Sequence, residues 1–251
     1  MQRCVDRQVA GGCITPFTLV SALAMTRPRP GRLLCGLQLG LGGLVLQPFA
    51  WLQSLLWGRA LSRLELPDDP VIVIGHWRSG TTYLHQLMSA DPGAATARNV
   101  LTVAPQAALV LKPLIGRVLG RVMTATRPID AVPWSACDPQ EDEIGLARLT
   151  VDSHMAGVAF PQDYLRHFHR CTLSTTRHFQ QQLLHFTRIT WAHDGEGKRH
   201  LLIKNPAHSA RVPLLLDLFP RARFVLMKRE PADAVRSLTL VKQKLADLCR
   251  T

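Results

Sequence analysis

Three short apolar runs, each followed by a polar turn and a segment with helical spacing, dominate the hydrophobic pattern of the chain. They cover residues 71–74, 201–203 and 223–227. Short apolar runs rich in β-branched residues are typical of parallel strands that are buried on both faces. The pattern therefore predicts an α/β fold in which helices flank a parallel sheet, with right-handed strand–helix–strand connections.

Helical periodicity fills much of the chain between those runs. Residues 104–124 predict one or two amphipathic helices that break near Pro113. Residues 161–191 predict two helices, the second of which is capped near Ser174 or Thr175. A last amphipathic helix follows the third apolar run and brings the chain to its end.

The N-terminal part of the chain has a different character. Residues 33–57 are strongly apolar and long enough to cross a membrane, but Pro48 and three glutamines interrupt them. We predict a membrane-surface or core-packing helical hairpin there, with a membrane span as the alternative, after a poorly ordered lead-in over 1–32. The predicted organisation is an N-terminal basic and apolar helical segment over 1–65 and an α/β domain over 66–251.

Composition narrows the classes of partner. The 251 residues carry 30 Lys and Arg against 18 Asp and Glu, a net charge of +12, which favours anionic partners. The basic residues are scattered and have no aromatic residues between them, so we expect no nucleic-acid binding. The six cysteines form no C-x-x-C pair, and we interpret them as reduced thiols. This predicts a cytoplasmic protein, with association to a membrane surface through 33–57 as a further expectation.

The first predicted strand leads into a loop with the layout of a phosphate-binding site. Gly75, Gly80 and Thr82 occupy positions of the Walker A pattern, but Thr81 stands where that pattern has its lysine. Because that lysine reaches the β- and γ-phosphates of a nucleoside triphosphate, a kinase or ATPase is disfavoured. Arg78, the threonine hydroxyls and the loop amides instead suit a short anionic group on a single 5′-phosphate.

Polar side chains also follow the other two predicted strands. Lys204 ends the second strand, Arg229 follows the third, and Ser237 lies on the helix after it. Ligands of parallel sheets bind at the carboxyl ends of the strands. The sequence thus predicts a P-loop-type sheet with these residues beside the phosphate loop.

Both blocks resemble one family. The sequence Arg-Ser-Gly-Thr-Thr at 78–82, after an apolar strand, resembles the loop of sulfotransferases that use 3′-phosphoadenosine 5′-phosphosulfate (PAPS), nearer the tyrosylprotein and bacterial branches. The resemblance implies that this loop binds the 5′-phosphosulfate. It also implies that Arg229 and Ser237, eight positions apart, bind the 3′-phosphate. Lys204 in Lys-Asn-Pro matches a lysine that lies near the transferred sulfonate in the tyrosylprotein branch.

The residues that the resemblance assigns to PAPS binding are Arg78, Ser79, Gly80, Thr81, Thr82, Tyr83, Arg229 and Ser237. Lys204 is assigned to catalysis, where a cation stabilises charge on the leaving oxygen.

The general base is predicted from an acidic cluster at 138–143. Glu141 and Glu143 are the candidates, although Glu141 also fits the N3 position of a capping box that begins at Asp138. In the tyrosylprotein branch the base is a glutamate that follows the loop arginine, but the corresponding neighbourhood at 97–100 contains no acid. Asp142 and His154 therefore stay open as alternatives.

Taken together, the sequence predicts an enzyme that transfers a sulfonate from PAPS to a hydroxyl or amine acceptor without a metal. The acceptor is expected to be a small molecule, a lipid or a protein. Members of the family usually continue well past the serine, whereas this chain stops at Thr251. It is accordingly expected to be truncated at its C-terminus and to bind PAPS weakly. The alternative hypothesis is a non-catalytic remnant that binds nucleotide or membrane.

Overall fold

The computed structural model describes residues 14–25, 30–123, 126, 133–155, 164–173 and 176–250. Its strands are β1 (Val71–Gly75), β2 (Ala94–Ala95), β3 (His200–Lys204) and β4 (Arg223–Met227). They form one parallel sheet in the order β2–β3–β1–β4. The predicted α/β fold, a parallel sheet flanked by helices, is confirmed, and β2 is a strand that the apolar pattern missed.

Helices precede the sheet and connect its strands. Their bounds are α1 Pro16–Met25, α2 Pro30–Arg63, α3 Thr81–Met88, α4 Asn99–Thr102, α5 Ala108–Val122, α6 Asp142–Leu149, α7 Tyr164–Phe168, α8 Arg177–Asp194, α9 Val212–Leu218 and α10 Pro231–Arg250. A π-helical turn, His169–Leu173, continues α7, and a 3₁₀-helix, Pro206–Ala210, lies between β3 and α9.

Strand β1 lies at the centre of the sheet, because it pairs with β3 on one side and β4 on the other. Ile72 is opposite both Ile203 and Phe224. One face of the sheet packs against α8, whose Phe179 and Leu183 join Ile72 in the main hydrophobic cluster. The other face contacts α3 through a smaller cluster. Helices on both faces are what an all-parallel sheet requires.

The N-terminal region differs from the prediction. Residues 33–57 lie within the single helix α2, with Pro48 inside it, rather than forming a hairpin by themselves. Part of the expected lead-in is the helix α1, which packs against α2. The approach is close, since a Cβ on Gly43 would lie 2.2 Å from the carbonyl oxygen of Ile14. Among the described residues, no helix combines the length and apolar character that crossing a membrane requires.

Two helix boundaries also correct the sequence analysis. Helix α5 continues through Pro113 without a break, and burial of Leu111, Ile115 and Leu119 along one side stabilises it. Helix α6 begins at Asp142 with Glu141 as its N-cap. The prediction of Asp138 as the N-cap is wrong. Its carboxylate instead accepts hydrogen bonds from the backbone N–H and hydroxyl of Ser135 in the preceding turn.

The start of α8 lies close to its predicted position. Thr176 is the N-cap, and its Oγ1 accepts a hydrogen bond from the backbone N–H of Phe179. The predicted caps Ser174 and Thr175 lie outside the described residues.

Candidate functional site

The predicted phosphate-binding loop, residues 75–80, connects the end of β1 to the start of α3, and we call it the phosphate loop. Its backbone has positive φ at three positions, Gly75 (143°), Arg78 (70°) and Gly80 (95°). A Cβ on Gly75 would lie 2.6 Å from the carbonyl oxygen of Met227 in the neighbouring strand β4, so glycine is required there. The N–H of Gly75 donates to Ser209 Oγ at 2.9 Å. These constraints fix the position of the loop at the carboxyl ends of β1 and β4.

The loop presents donors suited to an anion. The N–H groups of the first turn of α3, which begins at Thr81, have no intrahelical acceptor. Ser79 Oγ is buried and has no hydrogen-bond partner within the described part of the protein, and Thr81 is also buried. The side chain of Tyr83 is 68% exposed on the surface of α3.

The two sequence blocks predicted to bind PAPS meet at this loop. The Arg78 Nε donates to Ser237 Oγ of α10 at 3.0 Å, although the two residues are 159 positions apart. The Arg229 Nη1 donates to the backbone carbonyl oxygen of Arg78 at 2.9 Å. Two guanidinium groups and a hydroxyl therefore lie together where β1 and β4 end.

Lys204, at the end of β3, lies between the loop and the acidic cluster. Its Nζ donates to Glu141 Oε1 at 2.7 Å and to Thr82 Oγ1 at 3.4 Å. The Lys204 side chain is 1% exposed, whereas that of Glu141 is 22% exposed. Glu141 is therefore reachable from solvent while it remains paired with the lysine that contacts the phosphate loop.

Glu141 also lies beside the segment in which the sequence lacks an acid. The backbone N–H of Gln140 donates to the carbonyl oxygen of Ala97 at 2.8 Å, and its side-chain amide donates to Asn99 Oδ1 at 2.8 Å. The loop that carries Glu141 thus runs along residues 97–99. The carboxylate of Glu141 therefore lies near residues 97–99, where the resemblance to the tyrosylprotein branch leads us to expect a glutamate.

Glu143 lies in a different environment from Glu141. It is completely buried and accepts hydrogen bonds from Arg211 Nη1 at 3.0 Å, Asn205 Nδ2 at 2.7 Å and Ser153 Oγ at 2.7 Å. Burial by itself would raise the pKa of the Glu143 carboxyl, but Arg211 and then His154 hold that pKa well below its usual value. A buried, fully engaged anion is a poor proton acceptor. The geometry favours Glu141 over Glu143 as the base.

The two alternatives to Glu141 belong to the same buried network. Asp142 Oδ2 lies 2.8 Å from His208 Nε2. His154 is buried with Nδ1 3.2 Å from Glu143 Oε1, and its ring packs edge-on against Trp77 of the phosphate loop. Both side chains are less exposed than that of Glu141, at 7% for Asp142 and 6% for His154 against 22%.

Arg211 lies at the centre of this network and was not among the site residues predicted from the sequence. Its guanidinium is fully buried, donates to Glu143 and to the carbonyl oxygen of Cys171, and lies 4.3 Å from the centre of the Phe179 ring. The only local signal is that an arginine directly precedes the apolar start of α9. Its carboxylate partner is 68 positions away along the chain, which spacing rules do not detect.

Comparison with known proteins decides the family. The sequence profile of the sulfotransferase family matches residues 70–248, a range that contains every residue assigned to the site. The chain belongs to the sulfotransferase family.

Two curated sulfotransferases are similar to the chain. Both are named omega-hydroxy-beta-dihydromenaquinone-9 sulfotransferase Stf3, one from Mycobacterium bovis and one from Mycobacterium tuberculosis. Each is 27% identical over 185 residues, which cover 71% of this chain and 46% of the relative. The chain therefore spans about half the length of the curated sulfotransferases it matches.

Crystal structures of two mycobacterial sulfotransferases share the fold. Sulfotransferase STF1 from Mycobacterium tuberculosis superposes with a TM-score of 0.59 at 18% identity, covering 95% of this chain and 65% of the other. Sulfotransferase STF9 from Mycobacterium avium gives a TM-score of 0.58 at 21% identity, covering 81% and 53% respectively. At these identities the likeness establishes the sulfotransferase fold alone.

Proposed function

We propose that the protein transfers a sulfonate group from PAPS to a hydroxyl acceptor. One observation carries the proposal: Lys204 bridges the phosphate loop and Glu141 within hydrogen-bonding distance of both. Lys204 thereby connects the loop suited to the sulfonate donor with Glu141, the carboxylate suited to deprotonate the sulfonate acceptor. Membership of the sulfotransferase family supports the same reaction class.

The donor would be held at both of its phosphate groups. The glycine-bounded loop and the N-terminus of α3 suit the 5′-phosphosulfate, since N–H groups and a helix N-terminus favour an anion. Arg229 and Ser237 suit the 3′-phosphate, for which a guanidinium is a charge-assisted donor. Their contacts with Arg78 support a shared role, because they bring the two groups of residues to one end of the sheet.

In the proposed reaction the acceptor oxygen attacks the sulfur atom of PAPS in line. The S–O bond to the acceptor forms as the S–O bond to the 5′-phosphate breaks, leaving adenosine 3′,5′-bisphosphate and a sulfate ester. Glu141 takes the hydroxyl proton, as its partial exposure allows. Lys204 stabilises the negative charge that grows on the departing phosphate oxygen. We propose that no metal takes part.

The acceptor is proposed to be a small-molecule or lipid hydroxyl, with a protein hydroxyl or an amine as further acceptor classes. Support comes from the curated relatives, whose name specifies an omega-hydroxylated menaquinone derivative as the substrate. A cytoplasmic location remains a proposal that rests on the interpretation of the cysteines as reduced thiols.

A labelled-sulfonate assay tests the proposal. The purified chain is incubated with ³⁵S-PAPS and a panel of acceptors that includes a hydroxylated menaquinone, a long-chain alcohol and a phenol. We expect label in at least one acceptor and its loss in Lys204→Ala, while Lys198→Ala, which removes a lysine before β3, retains transfer. Nucleotide binding without transfer to any acceptor would instead support the non-catalytic remnant.

A further inference from the structure

Helix α2 (Pro30–Arg63) presents a continuous apolar face to solvent. Among the side chains of α2 that the structure describes, which begin at residue 40, the exposed large apolar ones are Leu41, Leu44, Val45, Phe49, Trp51, Leu52, Leu55 and Leu56. We refer to this surface as the α2 outer face. Leu55 is 81% exposed and Trp51 is 68% exposed. So large a contiguous apolar surface marks an interaction site rather than ordinary scatter of exposed leucines.

The rotation of α2 that exposes this face is fixed by the opposite side of the helix. Buried Gln53 donates through Nε2 to the carbonyl oxygen of Pro105 at 2.9 Å and accepts from the N–H of Leu109 at 2.8 Å. Leu61 is buried in the main core. Turning the helix to bury Leu52 and Leu55 would break both hydrogen bonds of Gln53. The apolar side chains therefore face outward because of specific contacts within the fold.

Charge on α2 has one sign. The helix contains three arginines and no aspartate or glutamate, and the first carboxylate after it is Glu65. Arg59 and Arg63 are exposed, and their spacing of seven and eleven residues from Leu52 puts them on the same side as the α2 outer face. No ion pair joins either arginine to a carboxylate within the described ranges. A basic end on an apolar face is typical of helices that lie in a membrane interface.

We propose that the α2 outer face docks on an anionic lipid membrane, with the helix lying along the surface. From Leu41 to Leu55 the face extends about 21 Å at 1.5 Å per residue. The apolar side chains enter the boundary between headgroups and acyl chains, and Arg59 and Arg63 contact lipid phosphates. Trp51 is of the residue type enriched at that boundary. Crossing the bilayer is not part of the proposal, since no described helix is long and apolar enough.

Charge distinguishes a membrane from a second copy of the chain on this face. In a two-fold dimer the same surface lies on both partners, so it must be complementary to itself. Helix α2 has no carboxylate to pair with the arginines of another copy, whereas an anionic membrane supplies phosphates. The proposal is independent of sulfonate transfer, because docking is measured without donor or acceptor.

Vesicle co-sedimentation of the full 251-residue chain tests the proposal. The vesicles are phosphatidylcholine alone or phosphatidylcholine with 30% phosphatidylglycerol. We expect binding to the anionic vesicles, about tenfold weaker in Leu41→Gln/Leu55→Gln. The matched control, Leu114→Gln/Leu216→Gln, removes two half-exposed leucines elsewhere and should bind like the wild type. Arg59→Gln/Arg63→Gln should remove most of the preference for anionic over neutral vesicles.

Three results would overturn the proposal. The first is failure of the wild-type chain to sediment with anionic vesicles. The second is equal loss of binding in the Leu41/Leu55 and Leu114/Leu216 variants. The third is a dimer, detected by light scattering, that persists in the presence of lipid but dissociates in Leu41→Gln/Leu55→Gln. The last would assign the α2 outer face to a second copy. Circular dichroism of each variant confirms that it is folded, so that lost binding reports on the surface.

Discussion

Lys204 and Glu141 form the contact on which the proposed chemistry depends. An ammonium group that is almost fully removed from water is costly unless a counter-ion is close. Glu141 supplies that charge at 2.7 Å, and Thr82 adds a weaker hydrogen bond. The same carboxylate is the most exposed of the candidate bases, so the proposal gives Glu141 two roles, counter-ion of Lys204 and acceptor of the hydroxyl proton.

We predict that Glu141→Gln lowers turnover by about 10²–10⁴-fold, because the amide cannot take the acceptor proton. The amide oxygen still accepts a hydrogen bond from Lys204, so affinity for adenosine 3′,5′-bisphosphate should change little. Initial rates with labelled PAPS and calorimetry measure the two effects. Glu196→Gln, at an exposed glutamate, is the control. Full activity in Glu141→Gln would move the base to another member of the cluster.

Arg229 and Ser237 should distinguish nucleotides that carry a 3′-phosphate from those that lack it. We predict that Arg229→Ala weakens binding of adenosine 3′,5′-bisphosphate by about 1.5–3 kcal/mol and Ser237→Ala by about 0.5–1.5 kcal/mol. Both variants should barely affect adenosine 5′-phosphosulfate. The control is Arg236→Ala, which removes an exposed arginine from α10, the helix that carries Ser237. Equal losses for both nucleotides would show that these residues do not contact the 3′-phosphate.

At the residue scale, the loop was predictable and the buried network was not. Gly75 and Gly80 mark the loop because the backbone conformation there requires glycine. Glu141 and Glu143 cannot be separated by spacing, since both lie near the start of one helix. Only the fold shows that Glu143 faces Arg211 in the interior while Glu141 faces Lys204 near solvent.

Helix α6 positions the acidic cluster by packing closely against α8. A Cβ on Gly145 would lie 2.2 Å from Cε2 of Phe186, and Phe186 is itself buried in the core. The absence of a side chain at Gly145 thus sets the separation of the two helices. This contact holds the N-terminus of α6, with Glu141 as its cap, at its distance from β3.

We predict that Gly145→Ala destabilises the protein by about 1–3 kcal/mol through overpacking. Gly120→Ala is the matched change in α5, where an added Cβ meets no atom of the described residues within 4 Å. It should stabilise by about 0.5–1 kcal/mol, because alanine favours a helix over glycine. Urea unfolding monitored by circular dichroism gives both values. Equal stabilisation by both changes would show that α6 can move away from Phe186 at no cost.

Helix α8 also carries a pH-sensitive side chain. His193 is buried, and neither ring nitrogen has a hydrogen-bond partner among the described residues. Burial, and then the charge of Lys112, lower the pKa of His193 to about 4. Because the unfolded chain takes up this proton near pH 6.5 and the folded protein only near pH 4, stability falls as the pH drops between those values.

We predict that the wild type loses about 1–3 kcal/mol to His193 between pH 6.5 and 4, and that His193→Leu loses correspondingly less over that range. His178→Gln changes an exposed histidine of the same helix and should leave the pH dependence unaltered. Urea titrations at pH 7, 5.5 and 4.5 provide the comparison. Parallel curves for the wild type and His193→Leu would contradict the assignment.

At the element scale, the long strands were predictable because each is an apolar run bounded by polar residues. Strand β2 has only two residues, Ala94–Ala95, and alanine carries no strand signal. Helix α5 shows the opposite case, in which tertiary packing overrides a local signal, since it continues through Pro113. In α2, Gln53 interrupts the apolar run in the sequence, but its side chain is buried and makes two hydrogen bonds within the fold.

At the scale of the whole molecule, strand order assembles the site. Because β1 lies between β3 and β4, the residues at the carboxyl ends of these three strands become neighbours. The Arg78–Ser237 and Lys204–Glu141 contacts join parts of the chain that are 159 and 63 positions apart. A parallel sheet was predictable from the apolar runs, whereas its strand order and the side-chain contacts follow only from the folded arrangement.

Calorimetric titration with adenosine 3′,5′-bisphosphate tests whether the loop after β1 holds the 5′-phosphate end of the donor through Arg78. We predict saturable binding to the wild type that Arg78→Ala weakens by about 1.5–3 kcal/mol. Arg117→Ala, at an exposed arginine of α5, should bind like the wild type. Equal affinity in the wild type and Arg78→Ala would show that Arg78 does not hold the nucleotide, and the absence of saturable heat with the wild type at millimolar nucleotide would show that this loop is not a nucleotide site.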